Sequence, residues 1–182
     1  MAQERIEAVR YIEATPQEIF AILSDPLGHV DIDASGMLMD AEGSVVSAVG
    51  DRFKVFMDRE ARGDFDLGRY EVEVVITVFE QDVEIAWTVD GAIKPPIGHI
   101  YGYRLEVPAE AADPDLSGGD TPGGTTGGTA ATRVTSYYDW STVSEDWKNS
   151  GVFPVVYEQG LKNTLGILER VVRRARPKLP AQ

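Results

Sequence analysis

The stretch that most limits the fold is the last long amphipathic run, residues 151–176, which reads GVFPVVYEQGLKNTLGILERVVRRAR. Phe153, Val156, Tyr157, Gly160, Leu161, Thr164, Leu165, Leu168, Val171 and Val172 recur with a period of about 3.6 residues and make one apolar face. Glu158, Lys162, Asn163, Glu169, Arg170 and Arg173 fall largely outside it. The pattern predicts a surface helix over this run, laid on a core. Pro154 suits a first turn, where its missing N–H costs nothing. The basic end complements the negative pole of the helix dipole, and Pro177 stops the helix. Such a helix needs a partner surface, so the fold depends on what the upstream chain builds for it.

That upstream chain is mostly strand-like. Glu4 to Ala14 alternates, with Ile6, Ala8, Arg10 and Ile12 on one face. Thr15-Pro16-Gln17-Glu18 is a capping box that opens a short helix, and Asp25-Pro26 ends it. Leu27 to Asp33 reads as a second short helix or tight loop, broken at Gly36. From there the texture is β. Met37 to Glu42 and Ser44 to Ala48 are short strand candidates, followed by Arg52–Glu60 with Phe53, Val55 and Met57 on one side. Arg69–Glu80 is the longest β run. It carries Tyr70, Val72, Val74, Ile76 and Val78 on one face, and its length implies strong twist or a bulge. Val83–Val89, His99–Val107 and Thr132–Ser141 complete the strands. Hairpin-sized connections favour an antiparallel sheet, and helices kept apart from a run of strands mean α+β. A sheet that hides one face under a single helix must curl around it, which tends to leave a cavity.

Residues 109–131 interrupt this order with SGGDTPGGTTGGT at their centre. Such composition buries too little surface to offset its ordering entropy, so a flexible Gly-rich insertion is expected. The chain otherwise reads as one domain over 1–176 with a tail at 177–182.

Charge narrows the partners. The formal net charge is −13, which disfavours nucleic acid and general attraction to anionic membranes. Residues 173–182 run the other way, with Arg173, Arg174, Arg176 and Lys178 and no acid. That end reads as a dipole-matched, solvated terminus. There is no cysteine, so disulfides, thiol nucleophiles and thiolate metal sites are excluded. The N-terminal residues lack a signal-peptide core, and no run approaches the roughly 20 apolar residues of a membrane span. A cytoplasmic location without stable membrane insertion is the expectation.

The residues also resemble a known family. TPQEIFAILSDP, the following HVDIDASG, VGDRF at 49–53, EIAWTV at 84–89, YGYRLEV at 101–107 and TRVTSYYDWS at 132–141 occur in the order of the START-like helix-grip (SRPBCC) superfamily. The resemblance spans about Ile6 to Val172 and is strongest to the polyketide cyclase/dehydratase-like branch. It implies a curved antiparallel sheet of six or seven strands wrapped around the C-terminal helix, with two short helices after the first strand. It also implies a deep apolar pocket. Carried onto this chain, the lining would be Phe53, Val55, Met57, Tyr70, Val72, Val74, Trp87, Tyr101, Tyr103, Tyr138 and Trp140, with Tyr157, Leu161 and Leu165 from the helix.

Rings with polar tips suit a site that packs an apolar ligand and orients one or two of its oxygens. His99, on the same face as Tyr101 and Tyr103, is the candidate acid–base, with Tyr103 beside it. His29-x-Asp31-x-Asp33 is too sparse for a metal site in a chain with two histidines, and a helix-end or pocket-mouth role for His29 and Asp31 fits better. Glu71 and Glu73 share a strand face and are expected in solvent. No nucleophile elbow, phosphate loop or dinucleotide fingerprint occurs, so no cofactor is expected. The leading expectation is binding or carriage of a hydrophobic or amphipathic small molecule: a lipid, isoprenoid or aromatic polyketide. The alternatives are a cyclase/dehydratase-type enzyme using the pocket Tyr and His, or an interaction module like the chaperone activators of the superfamily.

Overall fold

The computed structural model describes residues 4–60, 63, 68–91, 94–108 and 131–175. The elements run β1 (Arg5–Ile12), α1 (Pro16–Leu23), α2 (Pro26–Asp31), β2 (Leu38–Glu42), β3 (Arg52–Asp58), β4 (Arg69–Glu80), β5 (Glu84–Asp90), β6 (Ile100–Glu106), β7 (Thr132–Asp139), α3 (Glu145–Lys148) and α4 (Glu158–Ala175). The strands form one seven-stranded sheet in the order β1-β7-β6-β5-β4-β3-β2, antiparallel throughout. It is a meander from β2 to β7 with β1 returning beside β7. This is the α+β arrangement anticipated above, with both short helices following the first strand.

Local chemistry fixes the entry into the sheet. The Thr15 hydroxyl accepts the Glu18 N–H at 3.2 Å, and the Glu18 carboxylate accepts the Thr15 N–H at 2.8 Å, which closes the capping box on α1. Asp25 caps α2 by accepting the Leu27 N–H at 3.0 Å. Asp33 then holds the turn into β2. Its carboxylate accepts the N–H groups of Ser35, Met37 and Leu38, and the intervening Gly36 takes φ +71°.

Three expectations are corrected. First, residues 44–50 form no strand. The Asp51 carboxylate gathers the N–H groups of Ser47 and Ala48 into a closed loop, and buried Val46 donates its N–H to the Ser24 carbonyl at 3.0 Å. One anchored side chain replaces alternation. Second, β4 does not keep one face. Its register with β5 shifts between Ile76 and Val78, so Val78 is 38% exposed while Phe79 turns inward against Phe20, with ring centroids 5.3 Å apart. Third, the terminal helix begins at Glu158, not Gly151. Pro154 disfavours helical backbone at Phe153, and Gly151 sits at φ +77°. Residues 152–156 run instead as an irregular segment whose Phe153, Val155 and Val156 rest half-buried on the core. The Phe153–Pro154 bond is cis.

The helix α4 buries Leu161, Leu165, Leu168 and Val172, spaced four, three and four residues apart. Its main strand neighbours are β1 and β7, and it also touches α1 and α2. Arg10 on β1 pairs with Glu169, which also pairs with Arg173. The rest of the inner face, from β3 to β6, lies beyond the area this helix covers most heavily. Residues 109–130, where the flexible insertion is expected, lie outside the described residues; β6 and β7 on either side are paired from Ile100–Asp139 to Glu106–Arg133.

Candidate functional site

The inner sheet face carries a gradient of burial. Near its middle, Phe53, Val55, Val74, Ile76, Ile85 and Tyr103 are 5% exposed or less. Toward the end where β3 leaves the sheet and β4, β6 and α4 begin, Met57, Tyr70, Val72, Trp87 and Tyr101 are only half-buried. The segment before β6 contributes Ile97, and the segment before α4 contributes Phe153, Val155 and Val156. These two segments meet where the His99 and Phe153 rings lie 6.0 Å apart, and the turn after β7 joins them, the Thr142 hydroxyl donating to the Gly98 carbonyl at 3.3 Å. Large apolar side chains are thus incompletely covered at this end of the face.

The rings form a continuous path. Phe53 meets His29 at 4.9 Å, His29 meets Trp87 at 4.6 Å, and Trp87 lies 6.2 Å from Tyr101 and 6.0 Å from Tyr103. Tyr101 continues to Tyr138 at 4.9 Å, and Tyr138 stacks on Trp140 at 5.2 Å. Edge and offset contacts at these separations are attractive and hold each ring in place.

His99 and Tyr138 are the polar centre of this path. His99 Nδ1 is 3.0 Å from Tyr138 Oη, and both residues are buried. The Val155 backbone N–H also hydrogen-bonds the Tyr138 oxygen. A phenol oxygen can accept two hydrogen bonds and donate one, so either tautomer of His99 satisfies this contact. Burial pushes the His99 pKa down to about 4, so the imidazole is neutral at pH 7. Burial also holds the phenols of Tyr101, Tyr103 and Tyr138 well above their ordinary range. The set can therefore give and accept hydrogen bonds but carries no charge at neutral pH.

The expected lining residues divide by depth. Met57, Tyr70, Val72, Trp87 and Tyr101 come together at the open end. Phe53, Val55, Val74, Tyr103, Tyr138, Trp140, Leu161 and Leu165 are buried in the closed core. Tyr138 at 0% and Leu165 at 1% border essentially no space that a water could enter, so they support the site from behind. Tyr157 is 67% exposed and stands apart, because α4 starts one residue after it and its side chain is not on the buried stripe. Alternation could not find Ile97 and Val155, which lie in irregular segments. His29 sits at the end of α2, where its Nε2 is 2.9 Å from the Leu23 carbonyl, and burial lowers its pKa to about 4. It buttresses Trp87. Glu71 and Glu73 point away from the core and pair with Lys54 and Arg52.

Two depressions lie elsewhere. A groove of about 340 Å³ runs between α1, α2 and the end of α4, past Ala21, Ile22, Leu27, Gly28 and Val171. A second, of about 290 Å³, lies on the outer face among Lys54, Glu71, Glu73, Asp90 and Lys94.

No protein-family model matches the chain, and no curated protein matches it. Solved structures do. A protein from Nitrosomonas europaea superposes with a TM-score of 0.62 at 11% identity, covering 96% of this chain and 97% of that one. An AHSA1-like protein from Aeromonas hydrophila gives 0.51 at 15% identity, over 94% and 93%. The Aha1 dimer from Colwellia psychrerythraea gives 0.53 at 15% identity, over 94% and 96%. Identities this low show the fold alone. The chain has a helix-grip fold, the fold that its resemblance to the START-like, or SRPBCC, superfamily implies.

Proposed function

We propose that this protein binds a hydrophobic or amphipathic small molecule, of the size and character of a lipid, isoprenoid or aromatic polyketide, against the open end of the inner sheet face. The observation that carries the reading is the burial gradient. Met57, Tyr70, Val72, Trp87 and Tyr101 leave apolar surface partly uncovered where a solid core would close over it. A ligand there gains from removal of that surface from water, about 25 cal/mol per Å². Denaturing solvent extraction of protein purified from its source cells tests this. A stoichiometric apolar molecule, absent after Trp87→Asp and Tyr101→Asp substitution, is the expected result. Extracts empty from both proteins, with apolar probes failing to bind, would contradict it.

A cyclase/dehydratase reaction through His99 and Tyr103 is the weaker alternative. His99 is a poor base at neutral pH, its Nδ1 is engaged by Tyr138, and Tyr103 is 5% exposed. The AHSA1-like and Aha1 neighbours favour a different second reading, a protein-binding module of the chaperone-activator kind. A partner captured at one-to-one stoichiometry, with no small molecule recovered, is the outcome that would favour it.

A further inference from the structure

The end of α4 meets α1 and α2 around the groove of about 340 Å³ described above. Its apolar lining is Ala21 and Ile22 from α1, Leu27 from α2, and Val171, Val172 and Ala175 from the last turns of α4. Leu27 is 53% exposed at the lip, and Ile22 and Val171 are only half-buried. Three acids, Glu18, Asp25 and Asp31, complete the lining, and no Lys, Arg or His among the described residues joins them. Glu18 and Asp25 hold helix caps. Asp31 is exposed, and its carboxylate makes no hydrogen bond or ion pair among the described residues. The groove is thus an apolar floor under a negative rim.

The stretch of chain that leaves α4 at this point has the opposite charge and one apolar anchor. Residues 176–182 read RPKLPAQ, with two cations, no acid, and Leu179 set between Pro177 and Pro180. The helix ends at Ala175, itself a lining residue, so this stretch starts at the rim. Four residues carry the chain from Ala175 to Leu179, a reach of up to about 14 Å. Val171 lies only about 6 Å back along the helix from Ala175, at 1.5 Å per residue. Leu179 can therefore return to the groove without unwinding α4. Proline restricts the free chain, which lowers the entropy lost on docking. Tethering adds an effective concentration in the millimolar range, so weak contacts are enough.

We propose that residues 176–182 fold back as a strap into this groove, with Leu179 on its apolar floor and Arg176 and Lys178 facing the rim of Glu18, Asp25 and Asp31. The strap ties the end of α4 to the α1–α2 pair. It is independent of the small-molecule reading above, which concerns the inner sheet face.

NMR of the full chain tests it, with Asp31→Lys as the main variant because Asp31, unlike Glu18 and Asp25, caps no helix. Methyl NOEs from Leu179 to Leu27 and Val171 are expected, with backbone order parameters above about 0.6 at Lys178, Leu179 and Ala181. Asp31→Lys should raise the undocked fraction about threefold, and added salt should act in the same direction. Leu179→Ser serves as a second variant should Asp31→Lys unfold, as circular dichroism would reveal; it should abolish docking and move the amide signals of Ala21, Leu27 and Val171. Order parameters below about 0.6 at Leu179 without NOEs to the groove overturn the proposal. Docking unchanged by either substitution overturns it too. So do NOEs that run only between differently labelled copies, because the occupant is then the same stretch of a second chain.

Discussion

His29 shows how one residue type can serve packing and still set a solution property. Its ring is wedged between Phe53 and Trp87, its Nε2 meets the Leu23 carbonyl, and burial lowers its pKa from 6.5 to about 4. The folded pKa lies below the unfolded one, so the folded state favours neutral histidine. Above pH 6.5 both states are neutral and this residue adds no pH dependence. As pH falls from 6.5 toward 4 the unfolded chain gains a proton that the folded chain refuses, and stability is lost across that window. The expected loss from His29 is about 3 kcal/mol, and His99 acts in the same direction. Urea titrations at pH 7 and pH 4.5 should show the drop, and His29→Leu should flatten it while costing about 1–2 kcal/mol at pH 7 by orphaning the Leu23 carbonyl. An unchanged slope in the variant would remove His29 from the account. Little of this was visible beforehand. A histidine at the end of a short helix reads from sequence as a helix-end or pocket-mouth residue, and only the fold brings Trp87 against it.

Among the elements, legibility follows the regularity of the backbone. The capping box at Thr15 and Glu18 was readable because capping is local, and the stripe from Leu161 to Val172 because a helix repeats. The bulge in β4 was foreseen as a consequence of length but not located. Hence alternation assigns Val78 to the inner face that Phe79 takes instead. The start of α4 was misplaced because apolar residues 153–157 continue the helical spacing while Pro154 bars the conformation. Two glycines separate packing from mere permissiveness. A Cβ at Gly28, in α2, would fall 1.9 Å from the Ile22 carbonyl oxygen, whereas one at Gly166, in α4, would meet nothing within 4 Å. Gly28→Ala should therefore cost at least about 2 kcal/mol, since α1 and α2 must separate. Gly166→Ala should gain up to about 1 kcal/mol of helix stability. Thermal melts of both variants check the pair, and similar Tm values for the two would contradict the packing described. Gly160 meets only Val156 Cγ1 at 3.5 Å, so on the helix's inner side it marks room rather than close contact.

At the scale of the molecule, the helix-grip architecture was legible because element order and period determine it, and the inner face was legible in outline. What remained hidden was depth. Alternation assigns a side chain to a face but not to a position along the gradient from closed core to open end. Val55 and Met57 look alike in sequence, yet one is 2% exposed and the other half-buried. Strands β6 and β7 stay paired out to Glu106–Arg133, on either side of the Gly-rich stretch. Replacing residues 109–130 with a short Asn-Gly turn should leave the sheet intact and raise stability slightly, because loop closure costs less entropy when the loop is shorter. Loss of folding in circular dichroism would assign that stretch a structural role instead.

The central claim is that the open end of the inner sheet face takes up an apolar ligand. Backbone and indole NMR shifts during titration with 2-acetonaphthone test it most directly. The account predicts that the largest shifts fall on Met57, Tyr70, Val72, Trp87, His99, Tyr101 and Phe153, with the groove at Ala21, Leu27 and Val171 unmoved. Shifts concentrated in that groove or on the outer face at Glu71 and Glu73, or no saturable shift at all, would contradict it.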